Sequence, residues 1–194
     1  MAILNALRGS NLRSPRSVRH KGSTISDLLA AHDKFVRGES GGKRADFSAA
    51  DLSRVDFGGA NFSLADCSGA NLEHASLRDA RLTHADFSGC QMRAVDLRRA
   101  DCTEANFSGA DMTEAQIGGA ELFRANLSGA ILRRADCGVT NFREADVAGA
   151  VFEGANMKAA ILRETNLAGV DLSGVDLSTA LMPRGYSAQP ASES

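Results

Sequence analysis

Residues 105–129 read ANFSG-ADMTE-AQIGG-AELFR-ANLSG, and this stretch decides the fold. Each block of five opens with Ala and carries a large apolar residue third: Phe107, Met112, Ile117, Leu122 and Leu127. Working outward, the frame holds without a break from Ala45 to Met182. Every position whose number ends in 2 or 7 is apolar, and every position ending in 0 or 5 is small or β-branched. An amphipathic helix, with about 3.6 residues per turn, cannot sustain that period. A plain strand cannot either, because its sides alternate. The repeat is therefore the fold.

Within a block, the large residue and the residue two before it both point inward. The chain is extended between them, as in a strand. The remaining residues turn a corner, so four blocks close a square coil. Gly69, Gly89, Gly109, Gly129, Gly149 and Gly169 recur every twenty residues, with Ser48, Ser68, Ser88, Ser108 and Ser128 marking the same corner. Gly there permits the positive φ that a type II turn needs. About twenty-eight blocks give an all-β solenoid, a quadrilateral β-helix of about seven coils stacked at about 4.8 Å. The large residues form columns, one being Phe47, Cys67, Phe87, Phe107, Leu127, Val147 and Leu167.

The flanks read differently. Residues 1–24 hold no acid and are expected to form a basic flexible arm. Residues 25–37 predict a short helix, with Ser26 as N-cap, Leu28, Leu29, His32, Phe35 and Val36 as its apolar stripe, and Gly38 as its stop. With a lead-in loop to residue 44, that helix is placed to cap the open end of the solenoid. Residues 183–194 predict a flexible tail. Residues 1–44 carry nine Lys/Arg against three Asp/Glu, and residues 45–182 carry twelve against twenty, so a basic segment precedes an acidic body.

The blocks Ala45-Asp46-Phe47, Ala60-Asn61-Phe62, Ala70-Asn71-Leu72 and Ala125-Asn126-Leu127 resemble the pentapeptide-repeat family, whose consensus is A-(D/N)-L-x-x. The resemblance covers about 70% of the chain. It implies a right-handed coil, the handedness coming from the family. Some members dimerise through their C-terminal ends, which makes a homodimer through the Leu177–Met182 coil an expectation here.

The sequence predicts no enzyme, cofactor or metal site. A convex rod offers no concave site with convergent groups. His74 and His84 are half a coil apart, on opposite sides, and cannot share a metal. Cys67, Cys90, Cys102 and Cys137 all fall on inward positions without metal-ligand spacing, so they read as reduced core residues of a cytoplasmic protein.

Function must then lie on the faces. The Ser-Gly face carries Asp46, Asp66, Asp86 and Asp146 and no basic residue, which suits a flat or basic partner. The other three mix both signs. Phe123 is the expected contact residue among the outward apolar side chains, and Ile131 and Val151 should stack as a ladder. The leading expectation is a non-enzymatic scaffold presenting a rigid face to a protein partner. A second comes from the resemblance: some members mimic a DNA rod and modulate DNA gyrase. A third has the basic arm binding an anionic surface, nucleic acid or membrane.

Overall fold

The computed structural model describes residues 12–186. Parallel bridges join residues twenty apart, Asp46 to Asp66, Asp51 to Asn71, Asp56 to Ser76 and Asn61 to Arg81, on four successive sides. The ladder continues to Ile161 and Leu181. One central coil shows its construction. Phe107 N–H donates to Asn126 O at 2.7 Å, and Asn126 N–H donates back to Ala105 O at 2.9 Å. Within the coil, Ala110 N–H donates to Phe107 O at 3.0 Å and closes the corner. The inward columns are buried as read: Phe47, Leu72, Phe87, Met112 and Leu127 are among the fully enclosed residues. Each such side chain contributes about 1.5–3 kcal/mol of burial free energy.

The Asp or Asn before each large residue has a backbone task. Its Oδ1 accepts the N–H two residues on, as in Ser48 to Asp46 at 3.0 Å, Arg98 to Asp96 at 3.1 Å and Ser128 to Asn126 at 2.9 Å. The corner would otherwise leave that amide unpaired. Threonine in the small inward column is satisfied from the neighbouring coil. Thr140 and Thr165 donate to Ile117 O and Phe142 O, at 2.8 and 2.6 Å. Cys90 makes the equivalent contact to Cys67 O, and burial pushes its thiol up to about 12.

The Ser-Gly column is one of four equivalent corners in backbone terms. Gly69 and Gly109 have φ of 64° and 66°, but Arg54, His84, Glu104 and Val139 have φ of 56°, 57°, 57° and 60° at the other corners. Positive φ follows from closing the square at every corner, and glycine merely relieves it.

The N-terminal flank departs from expectation. Over residues 12–24 the chain is not a flexible arm. Arg13 pairs in parallel with Val55, as an extra strand on the first coil, and Asp56 N–H donates to Arg13 O at 3.0 Å. A hairpin follows, with β1 (Arg19–His20) against β2 (Ser23–Thr24), then α1 (Ile25–Val36). The first coil has unpaired amides and carbonyls along its open edge, and this segment satisfies some of them. The expected arm over residues 1–11 lies outside the described residues.

The N-cap of α1 is Thr24, not Ser26. Its hydroxyl accepts Asp27 N–H at 3.1 Å and donates to the Asp27 carboxylate at 2.6 Å. Thr24 wins because the hairpin already holds it extended, at φ −73° and ψ 151°. The buried side of α1 is Ile25 and His32, with Leu28 and Leu29 packed on the core. Phe35 and Val36, read as part of the stripe, are 37% exposed. Gly42 lets the next loop return along α1. A Cβ there would sit 2.3 Å from Phe35 N.

At the other end Leu167, Leu172, Leu177 and Met182 are only partly buried. A turn closes from Tyr186 N–H to Pro183 O, so part of the expected tail is structured, and residues 187–194 lie outside the described residues. No helix among the described residues is long and apolar enough to cross a membrane.

Candidate interaction site

The Ser-Gly face is built as a ladder of small groups. Asp46, Asp66, Asp86, Asn106, Asn126, Asp146 and Asn166 pair in sequence along it. Two positions on from each stands Ser or Ala, then Ala or Gly, so no long side chain rises from the face. Each carboxylate spends Oδ1 on its own corner, and Asp66 also receives Ser68 Oγ at 2.7 Å. Asn106 Nδ2 donates to Asp86 Oδ1 at 3.0 Å, which eases the stacking of like charges.

The face is not free of cations at its first step. Lys21, from the turn of the hairpin, pairs with Asp46 and reaches Ser48 Oγ at 3.4 Å. Lys21 and the Ser48 donors together hold the Asp46 carboxyl well below the usual range. Asp66, Asp86 and Asp146 have no cationic partner among the described residues.

The mixed faces are organised by the twenty-residue period. Arg99 grips Asp79 through two bonds of 2.7 and 2.6 Å. Arg124 meets Glu144 at 2.7 Å, Arg133 meets Glu153 at 3.1 Å, and Arg134 pairs with Glu114. His84 lies 3.3 Å from Glu104. All are half-exposed pairs, individually small in energy. They engage most of the arginines on those sides, while Asp56, Glu73, Asp101, Glu121, Asp136, Asp171 and Asp176 have no cationic partner among the described residues. The interleaved signs pointed to weak surface ion pairs on these sides, and opposite charges twenty positions apart were the signal for the particular partners.

Phe123, the expected contact residue, is partly covered. It is half-buried, with the Arg124 and Arg143 guanidiniums 4.8 and 5.8 Å from its ring centroid. Both cations are themselves tied to Glu144 and Glu164. The ring is the base of a cation–π stack. Ile131 and Val151 do stack as neighbours, but both are half-buried. The apolar side chains that do stand out are Val139, Leu181 and Leu64, at 64%, 44% and 43% exposure.

A recess of about 470 Å³ lies where Leu12 meets Asp56, Gly58, Gly59, Ser76, Arg78 and Asp79. Its carboxylates are engaged: Asp56 accepts Gly58 N–H at 3.1 Å, and Asp79 serves Arg99. Among the described residues no cluster of His, Cys, Asp or Glu could hold a metal ion.

Six overlapping stretches, from residues 43–79 to 140–179, match the family model Pentapeptide repeats. The chain belongs to the pentapeptide-repeat family. Members of this family form right-handed quadrilateral β-helices. A trypsin-treated variant of QnrB1, a plasmid-mediated fluoroquinolone resistance protein, is 26% identical. The match covers 73% of this chain and 71% of that one, with a TM-score of 0.69. A second QnrB1 variant is also 26% identical, covering 68% and 78% of the two chains at a TM-score of 0.54. The pentapeptide-repeat protein Rfr23 from the cyanobacterium Cyanothece 51142 shares the fold at 22% identity. That match covers 57% of this chain and 86% of that one, at a TM-score of 0.51. No match is found among curated proteins.

Proposed function

We propose that this pentapeptide-repeat protein is a non-enzymatic scaffold that presents the Ser-Gly face to a protein partner. The observation that carries this reading is the contrast between faces. Three carry long basic and acidic side chains interlaced between coils, while the fourth is smooth and bears carboxylates with no basic residue of the repeat among them. A rigid surface with few rotamers to freeze loses little entropy on docking. A partner with a flat basic surface is the complement. α1 serves as an edge cap, and the protein works in a reducing cytoplasm, where its four buried thiols remain free. Affinity capture with the full chain and with Asp66→Lys/Asp86→Lys tests it. Recovery of the same partner at equal yield by both refutes the face assignment.

A second reading, modulation of DNA gyrase by imitation of a DNA rod, is favoured by the likeness to a fluoroquinolone resistance protein. The body carries twelve basic residues against twenty acidic ones. Basic residues of the repeat interrupt the acidic ones on three faces, and the Ser-Gly face is the side where carboxylates stand with none among them. Gyrase supercoiling with and without a quinolone is the test. An unchanged inhibition curve at micromolar protein rejects this reading and leaves the scaffold standing.

A further inference from the structure

α1 is fastened to the first coil by a contact that can titrate. His32 is fully buried, and its Nδ1 accepts the Ala45 N–H at 3.0 Å. A ring nitrogen that accepts carries no proton, so the imidazole is neutral with its hydrogen on Nε2. That Nε2 is buried beside the Ser63 backbone and completes no hydrogen bond among the described residues. Phe35 stacks against the ring, with centroids 5.8 Å apart. The charged groups that face it are Asp33, from α1 itself, and Arg44, from the loop leading into the coil. They oppose one another, and no described carboxylate pairs with the ring.

The same flank holds a second histidine of this kind. His20, in β1, has a buried Nε2 without a partner and faces Lys21 and Asp46. The two other histidines, His74 and His84, lie exposed on the rod.

We propose that His32 is an acid-sensitive lock: a proton on Nδ1 removes the acceptor for Ala45 N–H, charges an apolar contact, and releases α1 from the first coil. The apolar end of the stack, at Phe47 and Leu52, is then uncovered while the central coils stay folded. Burial holds the pKa of His32 below 6.5 in the folded state. The unfolded flank therefore binds the extra proton first. Docking is at full strength above about 6.5 and is lost as pH falls from there toward the folded value, by about tenfold per pH unit. His20, lowered by burial and by Lys21, acts in the same direction.

Hydrogen exchange on the full chain, corrected for intrinsic rates, tests this from about pH 7.5 to about pH 5. Peptides covering residues 25–45 should lose protection about tenfold per unit below the histidine range, with residues 100–125 unchanged. Equal behaviour of the two regions overturns the proposal. His32→Asn keeps an acceptor near the Nδ1 position for Ala45 N–H but cannot titrate, so most of the pH dependence should vanish, leaving only the part due to His20. Acid loss that persists undiminished in His32→Asn, or disappears in His20→Gln alone, overturns the assignment to His32. Should His32→Asn be undocked at neutral pH, the wild-type ring decides. Long-range ¹H–¹⁵N spectra should show the Nε2–H form at neutral pH and the imidazolium appearing with release. A ring that gains its proton while α1 remains protected overturns the lock.

Discussion

The two ends of the rod are built from the same repeat yet differ in what covers them. At the N-terminal end, Val18 and Ile25 join one continuous core with Phe47 and Leu52, and residue 13 adds a strand beneath Val55. At the C-terminal end, Leu167, Leu172, Leu177 and Met182 sit in equivalent positions but remain partly open. A repeat supplies burial only to coils with neighbours on both sides. The motif alone therefore does not decide how much each copy contributes, and its place in the stack does.

The largest contrast expected is between truncations at the centre and at the open end. Phe107→Ala should cost about 3–5 kcal/mol, because a fully enclosed ring leaves a cavity that stacked coils cannot collapse. Leu177→Ala should cost on the order of 1 kcal/mol, since its site is already partly wet. Denaturant midpoints of the two variants measure the difference, and equal shifts would break the comparison. Overpacking sharpens it. Ala105→Leu, in the fully buried small column, should destabilise by about 1–3 kcal/mol, whereas Ala180→Leu should be close to neutral.

Corner substitutions should give smaller effects. Val139 is a β-branched residue with φ of 60° and 64% exposure, a conformation unfavourable for its side chain. Val139→Asn should raise stability by about 1 kcal/mol, read as a higher melting temperature, because Asn tolerates the left-handed region. The smallest effect concerns the covered end. Asp46, with its carboxyl held low by Lys21 and Ser48, fastens the hairpin above its ordinary value of 3.8. That contribution should fade as pH falls below 3.8, and Lys21→Ala should abolish the dependence in exchange measurements on residues 12–24.

The coil was legible because its period is commensurate with its geometry. Phe47, Leu72, Phe107 and Leu127 had to face inward once the corner glycines set the count at twenty. Asp66 and Asp86 were placed on the smooth face by the same arithmetic. The partial cover of Phe123 was not legible, because part of it comes from Arg143, in the next coil. The capping role of Thr24 was misjudged because its extended backbone is imposed by a hairpin with weak local signals.

By itself, the sequence determined the solenoid, its inward columns and the sorting of side chains onto four faces. These follow from local repetition, which each coil imposes on the next. Only the tertiary structure decided the docking of residues 12–36, the neutral state of His32, the pairing of Lys21 with Asp46 and the partial burial of Phe123. These depend on contacts between segments without a shared period, and only the folded chain brings such segments together.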